Sequence, residues 1–285
     1  MKNVLVVTNF CAGRKKAIKY KKRILEFILK NSNSFKFIEL NQLNTIDASS
    51  FDTIIAVGGD GTVNKILPFV INTDKILGII PCGTANLLAS KLGISSNIKK
   101  SLKILNENCI KKVDVLKIND ELSILRNGFG YDSDIICKTP QSLKNKFGYF
   151  AYFIAGILFA LRLKKKEYKL SIDNTNLVTE ASCIIVANAA NMYRNFISLS
   201  TNSQVDDGLM DIFILKTTNP ILFFIELILI GLNIRKNSNR AEYIKAEKFG
   251  MENNWLACHI DGEKKIFKEN INIHIIEHAI NVSAK

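Results

Sequence analysis

Two short glycine-bearing runs are the residues of this chain best suited to chemistry. Gly58-Gly59-Asp60-Gly61-Thr62 lies between an apolar run ending at Val57 and a helical stretch beginning at Thr62. Glycine lets a backbone take positive φ and come close to a ligand, and the N–H groups of a helix start can face phosphate oxygens. The run therefore reads as a phosphate cradle with a carboxylate inside it. A tight strand-to-helix turn with Asp60 as a helix cap is the alternative. The second run, Pro81-Cys82-Gly83-Thr84-Ala85-Asn86, follows the next apolar run and would fall beside the first on one edge of a sheet. Two adjacent polar glycine loops suit a triphosphate, although alone the second is an ordinary turn and helix start. Neither is a Walker A loop: Ala12-Gly13-Arg14-Lys15 lacks the leading glycine and the trailing Ser or Thr. Far along the chain, Asp261 and Glu263 stand two apart around Gly262. In a continuing strand they share a face, whereas Gly262 permits a close turn; either arrangement brings two acids together, and exposed hairpin acids are the alternative.

The elements that must position these residues are of two kinds. Up to about residue 120, β-branched apolar runs (Val4 to Thr8, Phe35 to Leu40, Thr53 to Val57, Ile76 to Ile80) alternate with helical stretches. These are a lysine-rich one carrying Ile18, Ile24, Leu25, Ile28 and Leu29, then Thr62 to Ile71 and Ala85 to Leu92. That alternation predicts a parallel sheet with crossover helices, which binds ligands at the carboxyl ends of its strands. After Asp114 the runs shorten, to Ser123–Arg126, Tyr168–Ile172, Cys183–Ala187, Met210–Leu215, Tyr243–Ala246, Leu256–Ile260 and Ile271–Ile275. They predict a mainly antiparallel second domain. Phe147 to Leu163 and Pro220 to Ile234 are strongly apolar, yet both fall short of the roughly 20 clean residues a membrane span needs.

With its motifs in order, the chain resembles the diacylglycerol kinase catalytic-domain family of lipid kinases, particularly its soluble bacterial members and the related sphingosine kinases. The resemblance covers nearly the whole chain. It rests on the first glycine loop, Pro81-x-Gly83-Thr84-x-Asn86-x-x-Ala89, Asn127-Gly128-Phe129-Gly130-Tyr131-Asp132, Val205-Asp206-Asp207-Gly208 and Ile260-Asp261-Gly262-Glu263. It implies an NAD-kinase-like amino-terminal α/β nucleotide-binding domain over residues 1–118. A carboxy-terminal β-sandwich over 119–285 would take the lipid, its last residues packing back on the first domain, with ATP and Mg²⁺ bound in the cleft between the two. On the same footing, Asp60 would organise Mg²⁺ on the ATP phosphates, and Gly58, Gly59, Gly61, Thr62, Gly83, Thr84 and Asn86 would face the nucleotide. Asp114 would join the water network around the metal, or simply end a strand. Asp207 would hold a second, structural Mg²⁺, or simply form a β-turn. Asp261 would take the proton from a lipid hydroxyl, and Glu263 would contact the nucleotide and metal site. Two positions depart from the family pattern: Asn9-Phe10-Cys11-Ala12-Gly13-Arg14 replaces Asn-Pro-x-x-Gly-Lys, leaving Asn9 and Arg14 for the nucleotide, and Leu87 stands where many members carry an Asp. The second removes one acid from the metal network and weakens the assignment to diacylglycerol.

Composition fits this reading. Hydrophobic residues make up 47% and charged residues 23%, which excludes a disordered or low-complexity chain. The net charge of +13 favours anionic partners, among them an acidic membrane surface. Lysines at the end of the first apolar segment (Lys164, Lys165, Lys166) and Arg235 and Lys236 after the second suit peripheral contact with anionic lipid, core packing being the alternative. No nucleic-acid-binding motif accompanies the charge. Six scattered cysteines without a C-x-x-C pair argue against zinc or redox chemistry, and with no signal-peptide pattern they predict a cytoplasmic protein. His259, His274 and His278 show no metal-ligand spacing and read as structural. Edge-strand pairing gives a route to a homodimer. The rival functions are an NAD-kinase-like enzyme with a soluble substrate and a non-catalytic nucleotide-sensing module.

Overall fold

The computed structural model describes residues 1–10, 16–107, 109–140, 142–143, 150–189, 191–192, 197–198, 203–234, 237–252 and 255–285. The chain forms two compact units, Met1–Asp114 with Glu277–Lys285, and Val115–Ile276.

The first unit is built on parallel strands β1 (Asn3–Thr8), β2 (Ser34–Glu39), β3 (Thr53–Gly58) and β4 (Ile76–Pro81) in the order β2-β1-β3-β4. The C-terminal end of the chain adds a fifth parallel strand beside β4, through Asn281↔Ile76 and Val282↔Leu77. All six residues of β3 are buried, as a strand covered on both faces by crossover helices requires. Those helices are α1 (Lys16–Asn31), α2 (Asp60–Val70), α3 (Leu87–Lys91) and α4 (Ile98–Asn106). Ile24 and Ile28 of α1 and Ile98, Leu102 and Leu105 of α4 pack with Val4, Val6, Ile55 and Val57. The helix read over Ala85 to Leu92 is shorter than its pattern, because Asn86 takes a left-handed conformation (φ 52°) that a helix cannot include. The sequence reading missed α4, although its apolar residues recur at helical spacing.

Strand β5 (Ile110–Ile118) leads into the second unit and pairs with β6 (Glu121–Ser123). There follow β7 (Arg126–Gly130), helix α5 (Tyr131–Lys138), the apolar helix Phe150–Ala160, β8 (Lys166–Ile172), β9 (Thr175–Ala181) and β10 (Cys183–Ala187). After the short pair β11 (Asn191–Met192) and β12 (Ile197–Ser198) come β13 (Met210–Leu215), the apolar helix Pro220–Gly231, β14 (Ala241–Ala246), β15 (Lys248–Met251), β16 (Leu256–Ile260), β17 (Glu263–Phe267) and the long β18 (Ile271–Ser283). One antiparallel sheet runs β14-β13-β10-β7-β16-β17; β18, β15, β8 and β9 form the facing one. Ile184, Val186, Met210, Ile212, Cys258 and Ile260 meet Leu170, Phe249 and Ile273 in the core between the sheets. The intervening residues Cys183, Ile185, Phe213 and Leu215 face outward onto Phe223 and Ile230 of the second apolar helix. Strands β10 and β13 are thus buried on both faces, which is why they read as unbroken apolar runs.

The expected strand Ser123–Arg126 is broken: Ser123 ends β6, Arg126 begins β7, and the buried Ile124 and Leu125 form the bend between them. Among the described residues no helix is long and apolar enough to cross a membrane.

Candidate functional site

The two glycine loops lie side by side because β3 and β4 are neighbours in parallel register, with Gly58 opposite Pro81. Their backbones touch. A Cβ on Gly83 would sit 2.4 Å from the Cα of Gly59, and one on Gly58 would sit 2.1 Å from Thr62 Oγ1. Neither Gly58, Gly59 nor Gly61 takes positive φ, so the first loop needs glycine for close approach and not for a left-handed turn. Gly61 is exposed, and a Cβ there would meet nothing within 4 Å. We expect Gly83→Ala to cost about 2–3 kcal/mol, since backbone on the opposite side cannot move aside cheaply. A melting curve would show the lower stability.

Asp60 is the first residue of α2, which Gly59 caps; the Asp60 carboxylate caps the other loop's helix instead. Its Oδ2 accepts from the Leu87 N–H (3.0 Å) and its Oδ1 from the Leu88 N–H (3.2 Å), which locks the two loops together. Asn86 turns its amide inward: Nδ2 donates to the Gly83 carbonyl (3.1 Å), while Oδ1 is buried without a hydrogen-bond partner. Asn9 reaches the same place through a long 3.4 Å bond from Nδ2 to Thr62 Oγ1, and Thr84 is exposed on the second loop. Arg14 lies outside the described residues. Asp114 is fully buried in β5, where Oδ1 accepts from the His278 N–H (2.6 Å) at a left-handed residue of β18 (φ 50°).

In the second unit, Asp261 and Gly262 form the two-residue turn between β16 and β17, both at positive φ (48° and 90°), with Ile260 and Glu263 paired across it. This is the type I′ geometry that Asp-Gly favours. Asp261 and Glu263 therefore do not share a strand face. Asp261 Oδ1 accepts from Ser123 Oγ (2.8 Å), Leu125 N–H (2.9 Å) and Arg126 N–H (2.9 Å), and Oδ2 from Ile124 N–H (2.8 Å). The bend misread as a strand is the cradle for this carboxylate. Glu263 is exposed and has no side-chain hydrogen bond or ion pair among the described residues. Asp207 sits in its turn with Oδ1 accepting from the Leu209 N–H (3.3 Å) and Oδ2 paired with Lys245, whose ammonium already compensates the charge a cation would balance. No group of three or more His, Cys, Asp or Glu able to hold a metal occurs among the described residues.

Directly under the Asp261 turn lies a cluster with no role in the sequence reading. Asp132 Oδ1 faces Arg126 Nη2 at 3.3 Å and Oδ2 faces His259 Nε2 at 2.7 Å, all three side chains being buried. Burial pushes the Asp132 carboxyl up, but the Arg126 guanidinium and the bond from His259 outweigh it and hold its pKa at about 2. A Cβ on Gly128 would fall 2.2 Å from Asp132 Oδ2, which accounts for the glycine of that motif. The motif signalled the cluster, but its partner His259 lies 127 residues away.

Comparison with known proteins matches the diacylglycerol kinase catalytic domain to residues 3–118 and the YegS C-terminal NAD kinase beta sandwich-like domain to residues 128–282. The chain belongs to the diacylglycerol kinase family. The family is one of lipid kinases, with a catalytic domain followed by an NAD-kinase-like β-sandwich. An uncharacterised Synechocystis protein is 37% identical over 61% of this chain and 40% of its own length. The diacylglycerol kinase of Bacillus subtilis is 29% identical over 75% of this chain and 71% of its own, and that of Staphylococcus aureus 30% over 60% and 54%. The chain thus spans about half the length of several curated relatives it matches. A solved structure described as a diacylglycerol kinase from Bacillus anthracis shares the fold, with a TM-score of 0.76 at 22% identity over 99% of this chain and 97% of the other.

Proposed function

We propose that this chain is an ATP- and Mg²⁺-dependent kinase that transfers the γ-phosphate to a lipid hydroxyl, diacylglycerol being the leading acceptor. The observation that carries the nucleotide half is the backbone contact of Gly59 with Gly83, clamped by Asp60 on the Leu87 and Leu88 amides. Bare glycine backbone and a nearby helix start favour phosphate oxygens. The donor set fits Mg²⁺ as well. A carboxylate has about four acceptor sites, so Asp60 can cap α3 and still accept from a hydrated cation, and the buried Asn86 Oδ1 offers a further acceptor. When bound, Mg²⁺ compensates the charge that builds on the phosphate oxygens. Asp261 is the acceptor of the hydroxyl proton in this reading. Four hydrogen bonds hold its carboxylate in place, and a loose transition state lets the proton leave late.

The lipid half rests on the helix Pro220–Gly231. Its inner side buries Phe223, Ile230 and Glu226, the last facing Ser238 Oγ (3.3 Å) and Arg240 Nη1 (3.7 Å). Its outer side exposes Ile221 (71%) and Ile228 (56%). An acid turned inward and isoleucines turned outward suit peripheral contact with lipid. Elsewhere in this unit, a cavity of about 580 Å³ is lined by Lys138, Arg162, Lys164 and Lys166 beside Trp255 and the buried Tyr168. The double change Ile221→Ser/Ile228→Ser is expected to lower partition onto anionic vesicles by about tenfold or more. Vesicle sedimentation checks this, and unchanged partition would move the contact elsewhere.

The deciding experiment is Mg²⁺-dependent transfer of labelled γ-phosphate from ATP to diacylglycerol, phosphatidylglycerol, a sphingoid base or NAD, with the lipids in anionic or neutral vesicles. Label in a lipid, faster on anionic vesicles, supports the proposal. Label only in NAD, or none despite measurable ATP binding, overturns it.

A further inference from the structure

We infer that Arg126, Asp132 and His259 form a buried positioning chain that fixes the tautomer of His259 and so holds the Asp261–Gly262 turn in place. The assignment follows from donors and acceptors. The Gly262 N–H donates to His259 Nδ1 (3.3 Å), so the lone pair is on Nδ1 and the ring proton on Nε2. That proton points at Asp132 Oδ2, 2.7 Å away. The other oxygen, Oδ1, meets the Arg126 guanidinium at 3.3 Å. Arg126 closes the circuit through its backbone: its N–H donates to Asp261 Oδ1 (2.9 Å) and its carbonyl accepts from the Asp261 N–H (2.9 Å). The chain thus begins and ends on the same two-residue turn. Helix α5, which carries Asp132, is registered on β16 by Ser133 Oγ bonding the Ala257 carbonyl (3.3 Å) and Cys137 Sγ the Cys258 carbonyl (3.7 Å), the two residues before His259.

The circuit has a reason to exist. The Asp-Gly turn sets the backbone of Asp261 (φ 48°), and the circuit fixes where that turn sits against the Arg126 backbone. A displacement of the order of an ångström in a reacting group can cost about 100-fold in rate. Asp132 and His259 are positioning residues, acting through the turn; this inference rests on the reading of Asp261 as the proton acceptor.

Asp132→Asn tests it. The amide carbonyl would face Arg126 and the amide N–H would face His259 Nε2, forcing the ring proton to Nδ1, where it opposes the Gly262 N–H. We expect kcat to fall about 10- to 100-fold with the KM for ATP changed less than about threefold. Nitrogen-15 correlation spectra should show His259 as the Nε2–H tautomer in the wild type and the Nδ1–H tautomer in the variant. A wild-type Nδ1–H tautomer, or a swapped tautomer with unchanged kcat, overturns the inference. If Asp132→Asn does not fold, the wild-type tautomer still decides the geometry. His259→Asn, which keeps an acceptor near Nδ1, should then retain more activity than His259→Leu, and equal losses count against the chain. Full activity in Asp261→Asn with the wild-type tautomer intact would remove the base and leave the circuit standing.

Discussion

Asp60→Asn should lower kcat by about a thousandfold or more while the protein stays folded, because on the proposed function one carboxylate would serve both the glycine loops and the nucleotide phosphates. Asparagine can accept from only one of the Leu87 and Leu88 amides, and its own N–H₂ would face the other. That mismatch costs about 1 kcal/mol, the usual worth of a helix cap, and leaves the sheet untouched. The larger loss is chemical. Leu87 occupies the place of a second acid in the loop, so on the proposed function Asp60 would be the carboxylate on which a hydrated Mg²⁺ depends. Circular dichroism should be unchanged, ATP affinity in the presence of Mg²⁺ should fall, and residual transfer of labelled phosphate should be near background. Retention of more than a tenth of wild-type activity would show that the metal is held without Asp60.

What the sequence made legible, and what it hid, divides by chain distance. The glycine loops were readable because β3 with its loop and β4 with its loop are each consecutive in the chain, and parallel pairing does the rest. Their close contact was not: whether Gly59 needs glycine for φ or for the approach of Gly83, 24 positions on, depends on packing. The same holds for Asp60, whose cap lies on Leu87 and not on its own helix. The bend at Ser123–Arg126 looked like a strand because Ile124 and Leu125 are apolar and buried, yet its backbone N–H groups turn to a carboxylate some 136 residues away. The Asn127–Asp132 motif marked Asp132, but nothing local joined it to His259, 127 residues on. His259 read as structural because it has no metal-ligand spacing; its partner is an acid on another element.

Asp261→Asn is expected to lower kcat by about 100- to 1000-fold, the range for loss of a general base, with the KM for ATP within about threefold of wild type. The variant also disturbs structure, because the four described groups bonded to the carboxylate are all donors. The asparagine N–H₂ must oppose one of them, and a buried donor left unpaired costs about 1–3 kcal/mol. Ser123→Ala separates the two effects. It removes one of the three bonds to Oδ1 and none to Oδ2, so it should cost stability of about 1 kcal/mol and change kcat only a few-fold. If Asp261 only braces the bend, the two variants should lose activity in proportion to stability. If it accepts the proton, Asp261→Asn should fall far below that line, and neither ATP binding nor the glycine loops of the first unit should register the change.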